Sequence, residues 1–454
     1  MKRKRILTIL LSFLTLTGGI ISAQDKNELK LSLKEAQDYA LVNNKMMINS
    51  RADVQASKAA LWETISNALP QVTASGSFTD NLKLMTTLLP GDFFGRPGEK
   101  VPVTFGSQFN SGASVQASML LFNAPLYIGI ETTKLANRLS EKNLEKTELD
   151  TKESVSSAYY LILVSERSLE ILNGNIANLN ETLKSTRSMY AAGMAESTDV
   201  DQMVSNVTMV ENTRSSMQRS IELNYNILRF QLGVAPDTKI ILSQTLENFT
   251  SEINIEALLS QQFDHKQNLN YILTEGQEKM SELAFKSQKA SVLPTLAGFY
   301  SYGVNGMGDK IKQQQWFQNS MTGLQLSIPI FGSGQKYSQI KKAQIRYQQA
   351  KTTKEMVTEQ LLLQEKQLRY NLVNANLQYK SQKDNVEVSK RVYTSTENKY
   401  KQGMASSLDM TQANSLYLQS ENNYVSSLMN LLQTKLALDK LLNNLSGVGG
   451  EGNK

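Results

Sequence analysis

The chain has 454 residues, no cysteine, a single histidine and a formal charge of +6. Without cysteine there is no structural disulfide, no thiolate metal site and no lipid-modified thiol, so any attachment to a membrane must come from the fold itself. His265 alone cannot build a histidine triad or a paired-histidine metal site within one chain, and its setting, Asp264-His265-Lys266, reads as a solvated helix start. Four positive charges are gathered in Lys2-Arg3-Lys4-Arg5; without them the charge is +2, which gives no footing for a nucleic-acid partner.

Those cations precede an apolar run from Ile6 to Ile21 and the small-residue site Ile21-Ser22-Ala23. That order is the pattern of a secretory signal peptide, residues 1–23, with a mature chain starting near Gln24. An uncleaved anchor helix is the competing reading; the run is broken by Thr and Gly and falls short of the ~20 residues a span needs. Charged or strongly polar residues interrupt every later apolar stretch, leaving a periplasmic, a secreted or an outer-membrane strand protein.

After Leu69-Pro70 the residues alternate, with Val72, Ala74, Gly76 and Phe78 on one face and Gln71, Thr73, Ser75, Ser77 and Thr79 on the other. A period of two predicts a strand. Residues 82–108 carry Pro90-Gly91, Gly95, Pro97-Gly98 and Pro102 and read as a long external loop. A second alternating strand holds Ala113, Val115, Ala117, Met119 and Leu121 opposite Ser114, Gln116 and Ser118, and ends at Phe122-Asn123. From Ala124 to Tyr190 the chain is polar and helix-favouring, about 100 Å long if continuous. Ile162, Leu169, Ile176 and Leu183 are spaced by seven with Leu172 and Leu179 between, as in a coiled-coil seam. Gly193 predicts the reversal, with Ser197 or Thr198 as the cap of a returning helix and Asp199 in its first turn. Past Leu232-Gly233, Lys239-Ile240-Ile241-Leu242 reads as a short connector strand.

The plan then repeats. Leu293-Pro294 opens a strand over Thr295–Gly303, and Leu324, Leu326, Ile328 and Ile330 alternate in another that ends at Phe331-Gly332. A second helical stretch from Ser333 to Tyr400 keeps a seven-residue spacing in Leu372, Tyr379, Val386, Tyr393 and Tyr400. Gly403 predicts the second reversal, with Ser407 as the cap and Asp409 in the first turn. The segments Tyr190-Ala191-Ala192-Gly193-Met194-Ala195 and Tyr400-Lys401-Gln402-Gly403-Met404-Ala405 align at an offset of 210, as do Leu228 with Leu438 and Leu232 with Leu442. The organisation predicted is therefore a repeat over 24–235 (strand hairpin about 70–122), a connector over 236–256, a second repeat over 257–445 (strand hairpin about 294–331) and a disordered Gly-rich tail over 446–454.

Four strands cannot close a barrel, and an open edge in lipid leaves backbone groups unsatisfied at several kcal/mol each, so a membrane barrel would need other copies of the chain. A four-stranded sheet in a soluble domain is the alternative. No glycine-rich phosphate loop or singled-out acid/base pair is present: Gly303-x-x-Gly306 lies at a strand end rather than before a helix. The residues predict a non-enzyme with no cofactor.

Over essentially the whole mature chain the sequence resembles the TolC outer-membrane efflux family. The likeness rests on Leu31-Ser32-Leu33-Lys34-Glu35-Ala36, both Leu-Pro strand starts, both Phe-turn strand ends and the paired Tyr-x-x-Gly-x-x-x-x-x-Asp motifs. The resemblance implies a mainly helical fold with a membrane β part, in which long helical hairpins form a periplasmic tunnel and four strands per chain join a 12-stranded barrel of a homotrimer in outer-membrane lipid. It implies a passive exit duct of a tripartite efflux or type I secretion system, docked on a periplasmic adaptor and an inner-membrane pump of RND or ABC type.

Gly193, Met194, Ala195, Gly403, Met404 and Ala405 match the adaptor-contacting tips, although any hairpin needs reversing loops. Asp409 matches the first position of a carboxylate ring that could hold a cation, and Gln412 departs from the second. Asp199 and Tyr400 match a pair that ties adjacent hairpins, while Ala405 stands where the partner arginine would be. Helix N-terminal stabilisation is the competing role for both aspartates. A periplasmic coiled-coil scaffold or adaptor without a barrel is the alternative for the whole chain.

Overall fold

The computed structural model describes residues 28–246, 249 and 254–445, so the predicted signal peptide and tail lie outside the described residues. Four strands form one antiparallel sheet: β2 (Gln71–Asp80), β5 (Phe109–Phe122), β7 (Thr295–Gly308) and β8 (Gln315–Ser327), in the order β2-β5-β7-β8. The register matches like with like. Val72, Ala117, Tyr300 and Thr322 lie in one row across the sheet and Ala74, Val115, Tyr302 and Ser320 in the next. The opposite face carries Thr73, Gln116 and Ser301, then Ser75, Ser114 and Gly303, with the Ser75 and Ser114 hydroxyls 2.8 Å apart. One face thus suits lipid and the other suits water. Gly306 makes room for its cross-strand neighbour, since a Cβ there would lie 2.9 Å from the Trp316 ring.

Two expectations are corrected here. Residues 82–108 are not merely loop: β3 (Met85–Pro90) and β4 (Lys100–Phe105) pair as a separate two-stranded hairpin. Its prolines stand at a strand end and opposite Leu88, positions a two-stranded ribbon tolerates because each strand has a free edge. The last strand also ends earlier, at Ser327, leaving Ile328 and Ile330 beyond it; Pro329 removes the N–H that a continuing ladder would use.

Each strand of the sheet adjoins a helix at one end: helices precede β2 and β7 and follow β5 and β8. Helix α1 (Leu33–Asn43) is followed by α2 (Lys45–Ser66), which precedes β2. After β5 comes α3 (Ala124–Ala191), 68 residues and about 100 Å long, then α4 (Ser197–Leu232). Past the connector strand β6 (Lys239–Leu242) and the short α5 (Ile255–Ser260), α6 (Leu269–Ala290) precedes β7. The 67-residue α7 (Gln335–Lys401) follows β8, and α8 (Ser407–Leu441) returns. Near the sheet the helices neighbour one another as α2-α3-α6-α7, the order of their strands; further down they run α4-α3-α8-α7. The chain is one wall with two free lateral edges, β2/α2/α4 and β8/α7. Gly276 permits the close approach of α6 to α3, as a Cβ there would lie 2.1 Å from Leu139 Cδ2. Among the described residues no helix is long and apolar enough to cross a membrane.

The predicted seam is observed from Leu172 to Leu183, while Leu169 is half-buried and Ile162 belongs to the core midway down the wall. Leu172, Ile176, Leu179 and Leu183 bury against Met203, Val207 and Val210 of α4. In α7, Leu372, Tyr393 and Tyr400 are buried and Tyr379 and Val386 half-buried. Midway down the wall, β1 (Glu28–Leu31) pairs parallel with β6, and together with α1 and Phe249 they pack on Val155, Tyr159 and Ile162 of α3 and on Leu428 and Leu432 of α8. Tyr159 donates its hydroxyl to the Leu31 carbonyl at 3.1 Å.

Candidate functional site

The two hairpin ends are built alike. Gly193 at φ 74° and Gly403 at φ 70° occupy the left-handed region, where glycine bears no Cβ penalty. Met194 N–H donates to the Met189 carbonyl at 2.8 Å and Gly193 N–H to Tyr190 at 3.0 Å; Met404 and Gly403 repeat this on Lys399 at 2.8 Å and Tyr400 at 2.9 Å. These paired bonds satisfy the last carbonyls of α3 and α7 and turn the chain back. Met194 and Met404 project from the turns, 76% and 66% exposed. Ala195 and Ala405 are half-buried, and Ala405 packs on the cluster of Tyr393, Tyr400 and Met410.

The caps differ from expectation. The N-caps are Glu196 and Ser406, not Ser197, Thr198 or Ser407. Ser406 Oγ accepts Asp409 N–H at 3.1 Å, while Asp409 Oδ2 accepts Ser406 N–H at 2.9 Å and its hydroxyl at 2.7 Å. Asp199 Oδ2 accepts Glu196 N–H at 3.0 Å in the same place. Both aspartates are thus third-position partners of capping boxes, a pattern legible in Glu196-x-x-Asp199 and Ser406-x-x-Asp409.

Being released from the cap, Ser407 does something else: it is buried and donates its hydroxyl to Asp199 Oδ1, tying the second tip to the first. One turn on, Asn206 Nδ2 donates to Thr411 Oγ1 at 2.9 Å, again α4 to α8. Tyr400 is buried with its hydroxyl 2.7 Å from Thr186 Oγ1, so it joins α7 to α3, and no hydrogen bond links it to Asp199 within one chain. Ser407 and Thr186 were invisible as partners in the sequence because nothing local marks a contact across more than 200 residues.

The Ser407 hydroxyl, then the Glu196 N–H, hold the Asp199 carboxyl below the usual carboxylate range; the Ser406 backbone and hydroxyl do the same for Asp409. Both are anionic at neutral pH. Asp409 and Gln412, three residues apart, are exposed on one face of α8. Among the described residues, no three His, Cys, Asp or Glu side chains gather as a metal group.

A family model described as outer membrane efflux protein matches residues 37–234 and 281–444. The chain belongs to that family. It is an efflux channel protein of the outer membrane, with a periplasmic helical extension, and not an enzyme. The outer membrane protein TolC of Vibrio cholerae is 21% identical over 327 residues, 70% of this chain and 68% of its own. The fold is similar to that of the outer membrane protein VceC of Vibrio cholerae, with TM-score 0.71, 16% identity and coverage of 90% of this chain and 95% of that one. The open state of the MtrE outer membrane channel of Neisseria gonorrhoeae gives 0.70, 16%, 90% and 88%.

Proposed function

We propose that three copies close this wall into a continuous duct, and the observation that carries the reading is a pair of apolar stripes left on its two free edges. On α7, Met356, Leu363, Tyr370 and Leu377 recur every seven residues and are 59–69% exposed. On α4, Met209, Leu223 and Phe230 share a seven-residue frame and are 57–74% exposed. Heights agree: at 1.5 Å per residue Leu377 is about 36 Å above the end of α7 and Leu223 about 39 Å above the start of α4, with Tyr370 and Phe230 at about 47 and 50 Å. An α7 edge of one copy meeting the α4 edge of the next pairs Leu377 and Tyr370 with Leu223 and Phe230 as a coiled-coil seam, with Leu363 and Met356 about 57 and 68 Å up, above the end of α4, while β8 meets β2 and no strand edge is left open to lipid.

In this reading residues 24–235 and 257–445, joined by 236–256, act as two copies of one plan around the duct. The tips Gly193, Met194, Ala195, Gly403, Met404 and Ala405 receive a periplasmic adaptor that connects to an RND or ABC pump; their exposed methionines are adaptable contact groups. Three Asp409 carboxylates form the charged ring at the closed end, able to hold a cation, with Gln412 as an uncharged second ring. The Asp199–Ser407 bond fastens the two tips of each chain in place of an arginine latch, and Tyr400 fastens α7 to α3 through Thr186. Outer-membrane fractions should yield heat-sensitive trimers that need detergent. A monomeric, water-soluble purified protein overturns the reading.

A further inference from the structure

Near the sheet, the cations of α6 and α7 divide into two sets. Lys354 pairs with Glu278 at 2.5 Å and Lys279 with Glu282 at 2.8 Å. Lys351 lies 4.9 Å over the Tyr347 ring and Lys289 5.5 Å over the Phe285 ring, the two rings being stacked. Lys342 and Arg346, by contrast, have no carboxylate, ring or hydrogen-bond partner among the described residues. They stand one turn apart on a cavity of about 490 Å³ where α6 and α7 meet, edged by Thr132 of α3, whose lining also includes Gln277, Ser281, Gln288 and Gln339 and contains no acid.

Helical periodicity places that cavity. Arg369 donates to the carbonyls of Leu259 in the connector helix α5 and of Gln261 just after it, so Glu365 and Arg369 mark the face of α7 that this connector covers. Tyr347 and Lys351 lie about five turns before them and share that face. Lys342 and Arg346 are rotated about 140° and 100° from Tyr347, away from Lys351. They lie on the side of α7 turned away from that connector, which the duct reading takes as the inner wall.

We propose that this cavity is an anion-binding station on the inner wall just below the barrel, taking organic oxyanions such as polycarboxylates and phosphate esters. Lys342 and Arg346 supply the charge, and the side-chain amides of Gln277, Gln288 and Gln339 supply neutral donors. Its volume is that of a small-molecule site, and it is complete within one chain. Its sign is opposite to that of Asp409 at the far end, so a permeant anion that passes the tips meets an attractive site before the barrel. The inference rests on the duct reading.

The test uses the full-length channel in planar lipid bilayers, with citrate as the probe. Citrate added on the barrel side should reduce conductance in the parent, and Lys342→Gln/Arg346→Gln should weaken that block about tenfold or more, the loss of two charge-assisted contacts. Lys341→Gln, one residue away but outside the cavity lining, should leave the block unchanged. Open channels insensitive to citrate, or a block equally lost in Lys341→Gln, overturn this site alone. A parent that forms no channel overturns the duct reading instead.

Discussion

Replacing Ser407 by alanine isolates the contact between the two tips of one chain. The hydroxyl donates to Asp199 Oδ1 and caps nothing, since Ser406 is the N-cap. A hydrogen bond to a charged acceptor contributes about 1.5–3 kcal/mol when shielded. Asp199 is half-buried, so solvent screens part of the interaction and a net value of about 1 kcal/mol is appropriate. That corresponds to about a fivefold rise in the ratio of parted to joined tips. Single-channel recording should show open probability rising by about that factor, with unit conductance unchanged.

Acid should act through the same bond. The Asp199 carboxyl is lowered from 3.8 in the folded chain, so the contribution is present at neutral pH and is lost only as pH falls through the lowered value. Open probability should therefore climb below about pH 3.8 in the parent, and Ser407→Ala should flatten that climb. An unchanged open probability in Ser407→Ala beside a raised one in Asp199→Asn would refute the assignment of Ser407 as the partner.

Leu372→Ala empties a fully buried position between α7 and its neighbours and should cost about 2–5 kcal/mol, read as a lower temperature for loss of the oligomer on gels. Leu377→Glu, exposed in the single chain, should leave helix content by circular dichroism intact yet abolish heat-sensitive trimers, and Leu223→Glu on the opposite edge should do the same. Gly276→Val places a side chain where Leu139 Cδ2 already lies 2.1 Å from a Cβ, and should reduce stability by about 1–3 kcal/mol through forced separation of α3 from α6; Gly174→Ala, where nothing lies within 4 Å, is the control.

Much of the architecture is written locally. Alternation in Gln71–Asp80 is a strand wherever the chain goes, the seven-residue spacing from Ile162 to Leu183 is a seam, and Gly193 and Gly403 are helix ends because few other residues accept their backbone angles. Local patterns failed where a contact outweighed a propensity. The proline-rich 82–108 segment pairs with itself because Met85–Pro90 and Lys100–Phe105 can each offer a hydrogen-bonding edge around their prolines. Serine at 407 looks like a cap by composition, yet Ser406 takes that position and Ser407 is turned to Asp199.

The sequence by itself determined the strands, the long helices, the reversals and the family, since each depends on spacing along the chain. Only the tertiary structure decided that the strand order continues into the helices, that Tyr400 meets Thr186, and that Lys342 and Arg346 are left without partners on one face of the wall. The reason is separation: these groups lie on different elements, and their chemistry is set by what the fold brings beside them or keeps away.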